Sequence, residues 1–470
     1  MDEKRLKGIR QQLLASLYCM LLFQLGYATA AIYASRLAFV PAFTFSFERC
    51  IPFIPWMIVP YMSSGLFFAL VPFLCRSRAE LWGYAQRFSF ITVVSICCFF
   101  IFPLRFSFDR PTVENPALGL FFTFLEKYDS PFNQAPSLHV AYACLFWSVI
   151  GKQLKGWIKW LLGIWLVSMG LATLTVYQHH LIDVITALIL VHVGFILFPS
   201  PFNPFQGNAL ASGDQHQDVL STIEARARFK WEVNRRNGGI GHVYFIAGWV
   251  VLLLSFWSRG HLFGWHLLVW ISFVCFAVGR SYFINNPNFL KNENGRIPGF
   301  KKVFYAPYQL AYWLIWRYVR QKNNPPFMEV LPSCYVGPRA SKADLKAFGS
   351  DQRLIVFDLA AELEEVAALH KRASYCSFPL LDIAAIRGED AERILAALVA
   401  NYQQLKKDEK MIIHCTMGYS RSMVFAILLS QKILSLNLKD AINRVKSKNK
   451  HLVLHKHSLL LMKVLAGEDK

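Results

Sequence analysis

The stretch His414-Cys415-Thr416-Met417-Gly418-Tyr419-Ser420-Arg421-Ser422 decides the fold of the C-terminal part of this chain. An apolar run, Met411–Ile413, precedes it, and a helix-prone run that starts at Met423 follows it. This order predicts a buried strand, a tight loop and the beginning of a helix. The backbone N–H groups of the loop and the helix N-terminus would then converge on one point, which favours a phosphate dianion and the thiolate form of Cys415.

The reactive side chains of this loop are spaced for phosphoryl transfer. Five residues separate Cys415 from Arg421. A thiolate can therefore attack phosphorus while the guanidinium donates two hydrogen bonds to two oxygens of the transferring phosphoryl group. Ser422 is placed to help the thiolate leave again, and Gly418 and Ser420 are candidate phosphate contacts. The five intervening residues contain no Lys or Arg, which favours a monophosphate over a polyphosphorylated headgroup.

Residues 414–422 resemble the active-site loop of the dual-specificity branch of the protein tyrosine phosphatases, whose pattern His-Cys-x5-Arg-Ser/Thr they match at each defined position. The resemblance covers residues 329–470, a length suited to one small domain. It implies an acid that protonates the leaving oxygen, supplied in this family by an Asp about thirty residues upstream of the cysteine, after a strand. Asp382 is the candidate and Asp390 the alternative, although either carboxylate could instead belong to a solvated loop or a helix cap.

The composition of the rest of the chain differs from that of a soluble domain. Hydrophobic residues make up 54% of the sequence, Phe occurs 40 times, and the mean hydropathy is +0.32. Most of the excess precedes Gly279, in apolar stretches that approach the roughly 20 residues needed to cross a membrane. Eight spans are predicted: Leu13–Tyr33, Pro52–Leu74, Phe88–Phe102, Leu138–Ile150, Trp157–Val176, Leu181–Phe198, Val243–Trp257 and Leu262–Gly279.

Basic residues predict how these spans are oriented. They cluster before the first span and after the second, fourth, sixth and eighth spans, as Lys4–Arg10, Arg76–Arg87, Lys152–Lys159, Arg226–Arg236 and Arg280–Lys302. Because cytoplasmic loops carry the excess of Lys and Arg, the N-terminus and the C-terminal domain are both predicted to be cytoplasmic. The formal net charge of +20 then reflects topology and lipid contact, and no aromatic-interleaved basic module indicates nucleic acid.

The cysteines and the N-terminus agree with a multi-pass protein of the cell (inner or plasma) membrane. Leu13–Tyr33 is long for the apolar core of a cleavable signal and is predicted to be a retained first span. Ten cysteines without CxxC spacing predict neither a disulfide framework nor a metal site. Cys415 requires a reducing compartment, which agrees with the cytoplasmic side.

Three junctions on the other predicted side of the membrane carry ionisable residues, which are rarely placed there without a function. They are Pro103–Pro111, which contains Arg105 and Arg110, Asn133–His139 and Tyr177–Asp183. His179 and Asp183 are four residues apart and therefore share one face of a helix. The carboxylate can then hold one imidazole nitrogen and leave the other basic, as a nucleophile requires.

Pro136-Ser137-x-His139 together with His179-x3-Asp183 resembles the type-2 phosphatidic acid phosphatase superfamily. Within this superfamily, the sequence Pro-Ser-Leu-His-Val-Ala more closely resembles the inositolphosphorylceramide and sphingomyelin synthase-like branch. The resemblance implies that His179 forms a phospho-histidine, that Asp183 orients it and that His139 protonates the leaving group.

Two positions depart from the pattern of this superfamily. Its Ser-Arg pair ahead of the nucleophile aligns with Ala172-Thr173, and the Lys of its first motif falls on Pro103. Arg110 remains as a phosphate ligand, and Arg105 is a nearby substitute for the missing arginine. Ser137 would either donate to a phosphate oxygen or cap its helix.

The predicted fold is a multi-pass α-helical membrane domain of about eight spans, followed by a cytoplasmic α/β cysteine-phosphatase domain. Its parts are a six-span phosphatidic acid phosphatase-like domain (1–200), a cytoplasmic loop (201–240), two further spans (241–280), an interfacial helix at Tyr305–Val319 with a linker at Asn323–Pro326 (281–328), and the dual-specificity phosphatase-like domain (329–470). The interfacial helix is predicted because its segment is too short to span and is rich in aromatic residues.

Two phosphate-transfer sites on opposite sides of one bilayer are therefore predicted, neither of which needs a metal or an organic cofactor. The leading hypothesis is an integral membrane phosphatase, with a histidine-based lipid phosphatase site on the non-cytoplasmic side and a cytoplasmic cysteine-based phosphomonoesterase. Membrane lipids and a phosphorylated lipid or protein substrate are the expected partners. Alternatively, the membrane half passes a phospho-headgroup to a second lipid alcohol, or it only anchors a protein phosphatase. The sequence does not specify an oligomeric state.

Overall fold

The computed structural model describes residues 9–200, 217–258, 262–322, 326–349, 352–367, 369, 373–449 and 452–466. It divides into two compact units. The first unit is Met1–Asn203 with Phe245–Ser272, and the second unit is Pro204–Tyr244 with Phe273–Lys470. The long helices between residues 217 and 283 contribute to both units.

Helices form most of the first unit. In chain order they are α1 (Arg10–Ser35), α2 (Ile58–Met62), α3 (Ser64–Leu74), α4 (Arg78–Ile101), α5 (Pro116–Tyr128), α6 (Leu138–Ile150), α7 (Gly156–Thr175) and α8 (Leu181–Leu197), followed by the shared helices α9 (Gln217–Trp257) and α10 (Leu262–Phe283). Short 3₁₀ turns lie at Ser46–Cys50 and Pro55–Met57. Buried residues from α1, α3, α4, α6, α7 and α8 form one shared core.

The eight apolar stretches are mostly helical. Among the described residues, six helical segments are long and apolar enough to cross a membrane, and one of them, Pro55–Leu74, consists of a 3₁₀ turn, α2 and α3. The other two, α6 and α8, have 13 and 17 residues. At about 1.5 Å per residue, α6 is shorter than the roughly 30 Å hydrocarbon core. Membrane association is thus supported by these helices, whereas the number of spans stays a prediction.

The segment 201–240 is not the continuous loop that its polar composition predicts. Residues 201–216 lie outside the described part of the chain, and the remainder is the first half of α9. This polar half carries Phe229, Val233 and Ile240 at helical spacing, and all three are buried. Phe229 and Val233 pack into the main core of the second unit, which is why a polar segment is ordered as a helix.

A five-stranded sheet forms the centre of the second unit. Its strands are β1 (Met328–Leu331), β2 (Cys334–Pro338), β3 (Arg353–Ala360), β4 (Ala373–Leu380) and β5 (Glu409–Cys415). The order is β1-β2-β5-β3-β4, with β1 antiparallel to β2 and the other pairs parallel. Its helices are α11 (Gly299–Phe304), α12 (Ala306–Lys322), α13 (Lys342–Ala347), α14 (Gly388–Gln403), α15 (Arg421–Leu434), α16 (Leu438–Lys448) and α17 (Lys456–Ala466).

The central strand β5 is buried on both faces. Met411 and Ile413 enter the core shared with α14 and α15, and Ile412 enters a second core on the other face. A parallel central strand is expected to be continuously apolar for this reason.

The predicted order of strand, loop and helix around Cys415 is present, and α12 occupies the place of the predicted interfacial helix. Of the predicted linker, residues 323–325 lie outside the described residues.

A buried ion pair joins the segment between α10 and α11 to the sheet. Lys291 Nζ lies 2.5 Å from both Asp358 Oδ2 and the carbonyl oxygen of Ala360. Asp358 also accepts a hydrogen bond from the Tyr375 hydroxyl. Burial acts to raise the pKa of Asp358, but the charges of Lys291 and His414 outweigh it and hold that pKa below its ordinary value.

Lys291→Met should destabilise the protein by about 3–5 kcal/mol, because it leaves the Asp358 carboxylate buried without its cation. Thermal unfolding of the detergent-solubilised chain measures the loss. The matched control is Lys302→Met, which removes a half-exposed ion pair with Glu364 and should cost less than about 1 kcal/mol.

This Lys291-dependent stability should also depend on pH. The pKa of Asp358 is lower in the folded than in the unfolded chain, so the stabilisation is complete above about pH 4 and disappears as the pH falls further. Equal melting temperatures for Lys291→Met and Lys302→Met would contradict this account.

Candidate active sites

Cys415 is the last residue of β5 and is 2% exposed. The Gly418 N–H donates to its Sγ at 3.2 Å, and the Ser422 hydroxyl lies 3.4 Å from the same sulfur. Helix α15 begins at Arg421, directly after the loop. The sulfur is therefore enclosed by the loop and lies beside the N-terminal end of α15.

Gly418 is required by the close approach of this loop to β2. Its φ is +77°, a left-handed conformation that side chains rarely adopt. A Cβ at this position would lie 2.6 Å from the carbonyl carbon of Gly337 and 2.5 Å from the nitrogen of Pro338. Any larger residue would push the loop away from the strand and displace Cys415.

The guanidinium of Arg421 is buried and holds three parts of the site together. Its Nη1 donates to Glu362 Oε1 at 2.8 Å and to the Leu380 carbonyl at 2.6 Å, and its Nη2 lies 3.0 Å from Asp382 Oδ1. Burial alone would lower the pKa of Arg421, but the negative charges of Glu362, Asp382 and Cys415 raise it well above its ordinary value. Arg421 is therefore a permanent cation beside the thiol.

Glu362 is a site residue that the sequence reasoning missed. It is fully buried, pairs with Arg421, and accepts a hydrogen bond from the Thr416 hydroxyl at the start of the loop. One signal was available, because Glu362 is the first charged residue after the buried run Leu359–Ala361 at the carboxyl end of β3. In parallel sheets, functional side chains gather at that edge.

Asp382 lies beside the loop, as the sequence predicts for a catalytic acid. It follows β4, contacts Arg421, and accepts a hydrogen bond at Oδ2 from the Tyr312 hydroxyl at 3.2 Å. Asp390 instead lies in the first turn of α14, where its Oδ2 accepts from Arg387 Nε at 2.6 Å. The structure therefore places Asp382, and not Asp390, next to Arg421.

The histidine motifs of the first unit come together at the start of α8. His179 Nδ1 lies 3.2 Å from Asp183 Oδ2, and the ring centroids of His139 and His179 are 6.2 Å apart. The ring of Tyr61 stacks on His139 at 4.0 Å. Because Asp183 holds Nδ1, the Nε2 atom of His179 is left for chemistry.

His180 supports this arrangement without joining it. Its Nδ1 lies 3.1 Å from Glu48 Oε2, its Nε2 accepts the Ser107 N–H at 3.2 Å, and Phe106 stacks on its ring at 4.4 Å. Glu48 also accepts the N–H of Leu181, at the start of α8. The sequence reasoning did not find Glu48, which comes from a distant 3₁₀ turn.

Asp129 is a second carboxylate that the sequence reasoning missed. Its Oδ2 accepts from the Tyr61 hydroxyl at 2.8 Å and from Gln178 Nε2 at 3.1 Å, and its Oδ1 accepts from Tyr27. Tyr61 and Gln178 flank the two histidines, so Asp129 ties both sides of the site together. It lies just after α5, in a segment without a recognisable motif.

Arg110 is engaged with the loop that precedes His179. Its guanidinium donates to the carbonyls of Val176 and Tyr177 at 3.1 and 3.3 Å and to Gln178 Oε1 at 2.9 Å. Its Nη1 pairs with Glu126 at 3.1 Å. These contacts hold the loop that precedes His179, and the role of Arg110 as a phosphate ligand stays a prediction.

The other predicted phosphate contacts differ in their surroundings. Arg105 is exposed, and its backbone N–H donates to Pro41. Thr173, at the place of the missing arginine, is buried, and its carbonyl accepts the N–H of His179. The Ser137 hydroxyl makes no cap bond and has no hydrogen-bond partner among the described residues. Its backbone N–H donates to the carbonyl of Asp183 at 3.0 Å.

Comparisons with known proteins cover about a third of this chain. No protein-family model and no curated protein matches the chain. Solved structures similar to it are cysteine phosphatases: Tk-PTP in its active form (18% identity, 31% of this chain and 99% of that chain, TM-score 0.27), human DUSP28 (17%, 31% and 96%, 0.27) and PTPMT1 in complex with PI(5)P (12%, 30% and 96%, 0.27). At such values the likeness carries no argument about substrate, which must come from the site itself.

Proposed function

We propose that this chain is an integral membrane phosphatase whose second unit hydrolyses phosphomonoesters through a phospho-cysteine intermediate. The observation that carries the proposal is the meeting of Cys415, Arg421 and Asp382 at one loop between a strand end and a helix N-terminus. A nucleophile, a phosphate-binding cation and an acid are the groups that this reaction needs.

The reaction runs in two steps. The Cys415 thiolate attacks phosphorus, the bond to the ester oxygen breaks, and Asp382 donates its proton to the leaving alkoxide. Asp382 then accepts a proton from water, which attacks the phospho-cysteine and releases inorganic phosphate. Arg421 holds the phosphoryl oxygens throughout, and the Ser422 hydroxyl, 3.4 Å from Sγ, stabilises the departing thiolate.

Cys415→Ser should abolish turnover of a soluble aryl phosphate by the detergent-solubilised chain, because a serine hydroxyl is protonated at neutral pH and is a weak nucleophile. Cys376→Ser, in β4, is the control and should retain the wild-type rate. Near-normal turnover by Cys415→Ser would remove this cysteine from the mechanism.

Asp382→Asn should slow the first step, phosphorylation of Cys415 with release of the alcohol, by about 10²- to 10⁴-fold for esters with poor leaving groups and much less for activated aryl esters, since only the poor leaving groups need the proton. Rates for a series of leaving groups measure this dependence. Asp390→Asn is the matched control and should leave the series unchanged. If the control shows the dependence instead, Asp390 is the acid.

For the first unit we propose a histidine-based lipid phosphatase on the non-cytoplasmic side. The contact of His179 with Asp183 and the nearby ring of His139 support an attack by His179 Nε2, with His139 as the proton donor to the lipid alcohol. Phosphate oxygens would be met by the unpartnered Ser137 hydroxyl and by Arg105. Transfer to a second lipid alcohol instead of water would use the same residues.

A second candidate role for the first unit is that of an anchor for the cysteine phosphatase. Two observations favour it. Thr173 stands where the superfamily has an arginine, and the guanidinium of Arg110 is occupied by carbonyls and by Glu126. An anion site that relies on the exposed Arg105 would bind phosphate weakly.

The two roles are separated in a Cys415→Ser background. A lipid phosphatase should release phosphate, or exchange a phospho-headgroup between lipids, and His179→Ala should abolish this while His192→Ala, further along α8, should not. Activity should be bell-shaped in pH, since His179 must be unprotonated and His139 protonated. Absence of both activities, with no trapped phospho-histidine, would leave the anchor role.

We also propose that both the N-terminus and the second unit are cytoplasmic, in the cell (inner or plasma) membrane. The positions of the basic residues between the apolar helices support this orientation. A cysteine-labelling map should place Lys155 and Arg235 on the cytoplasmic face and His179 on the other. If His179 and Cys415 lie on the same face, the two-sided arrangement is wrong.

A further inference from the structure

Four tyrosines from three helices lie beside the cysteine site. Tyr244 of α9 stacks on Tyr282 of α10 with ring centroids 5.5 Å apart, and Tyr308 and Tyr312 of α12 are in contact at 4.8 Å. The Tyr282 hydroxyl donates to the carbonyl of Asp382 at 2.9 Å, and the Tyr312 hydroxyl donates to its carboxylate. The proposed acid is therefore held by helices that precede the phosphatase sheet in the chain.

Two of these tyrosines lie at or near the ends of the predicted spans Val243–Trp257 and Leu262–Gly279. Tyr282 lies in the last turn of α10, whose segment Gly264–Phe283 is long and apolar enough to span. Tyr244 lies at the beginning of the uncharged stretch Val243–Trp257 of α9. Tyrosines at the ends of spanning helices lie at the lipid–water interface. With α9 and α10 as spans, Asp382 is one hydrogen bond from that interface.

Helices α11 and α12 present an apolar and basic surface next in the chain. Their exposed large apolar residues are Phe300, Val303, Phe304, Leu310, Trp313, Leu314, Ile315 and Tyr318. The segment from Gly299 to Lys322 contains five basic residues and no acidic residue, and two of the five, Lys302 and Arg320, pair with Glu364 and Asp344. Exposed apolar side chains among basic ones suit the headgroup region of a bilayer, which accepts the apolar groups and neutralises the charges.

Tyr308 has a buried hydroxyl. Tyr308 is 7% exposed, and its hydroxyl has no hydrogen-bond partner among the described residues. Leaving a buried hydroxyl unpaired costs free energy, so such a group is expected to have a partner during function. The ring of Tyr308 contacts the ring of Tyr312, whose hydroxyl donates to Asp382. The Tyr308 hydroxyl therefore lies on the α12 side of the site.

We propose that the cysteine site takes its substrate from the bilayer and that this substrate is the phosphomonoester headgroup of a membrane lipid. The bilayer contacts α11 and α12, and the headgroup reaches Cys415 past Tyr308 and Tyr312. Cleavage leaves the lipid alcohol in the membrane and releases phosphate to water. This inference rests on the proposed cysteine phosphatase activity and adds its substrate class.

The test uses the full chain with His179→Ala, reconstituted in phosphatidylcholine vesicles, so that only the cysteine site acts. The probes are a diacylglycerol phosphate and a long-chain isoprenol phosphate in the vesicle, a phosphotyrosyl peptide, and a soluble aryl phosphate. At least one lipid should exceed the peptide in kcat/KM by about 10²-fold, because confinement to the surface raises the effective concentration. A peptide that matches or exceeds both lipids would overturn the inference.

Variants on α12 test the route. Leu310→Glu combined with Leu314→Glu should lower the ratio of lipid to aryl phosphate turnover at least about tenfold, since two carboxylates oppose burial in the headgroup region. Leu434→Glu, at the exposed end of α15, is the control and should leave the ratio unchanged. Tyr308→Phe should raise the KM for the lipid about tenfold, which is the loss of affinity expected when one hydrogen bond is removed.

The outcomes separate this inference from the activity on which it rests. Turnover of the aryl phosphate that depends on Cys415, with neither lipid hydrolysed or with a ratio insensitive to the α12 variants, would overturn the lipid substrate alone. Absence of Cys415-dependent turnover of every probe would remove the proposed cysteine phosphatase as well.

Discussion

The ion pairs of Arg421 are the interaction on which the cysteine site depends. A buried guanidinium is tolerated only when carboxylates pair with it, and here Glu362 and Asp382 do so from the ends of neighbouring strands β3 and β4. One cation thus positions the nucleophile loop, the strand ends and the proposed acid. A phosphate dianion offers the same charged oxygens as Asp382 and can replace it on Arg421. The displaced carboxyl group is then free to serve the leaving oxygen.

The same physical solution recurs in the first unit with histidines in place of arginine. Asp183 and Glu48 are buried, and each holds one imidazole and one backbone N–H at the start of α8. Such hydrogen-bond networks restrict the positions of side chains more than packing alone does. Phosphoryl transfer requires reacting groups to be positioned in this way. The two units differ in the arginine near the proposed substrate position. Arg421 faces the proposed phosphate position, whereas the guanidinium of Arg110 donates to carbonyls of the loop before His179.

The sequence predicts the parts of both sites that are local in the chain. The loop around Cys415 and the His179–Asp183 pair are encoded within a few residues, so spacing and apolar context suffice. Glu362, Glu48 and Asp129 reach their sites only through tertiary contacts. Glu362 has one local signal, its place directly after the buried end of β3, whereas no local pattern distinguishes Glu48 and Asp129 from solvated carboxylates. The helical structure of the first half of α9 was not predicted for a related reason. Its composition is polar, and the burial of Phe229 and Val233 depends on the core of the second unit, which the local sequence does not reveal.

Trapping the covalent intermediate tests the central claim most directly. In the Asp382→Asn variant, an activated aryl phosphate can still phosphorylate the thiolate, but the second step lacks its base, so the intermediate should accumulate. Mass spectrometry of the protein denatured during turnover should find phosphate on the peptide that contains Cys415. Phosphate only on the peptide that contains His179, or turnover with no phosphorylated residue at all, would contradict the account.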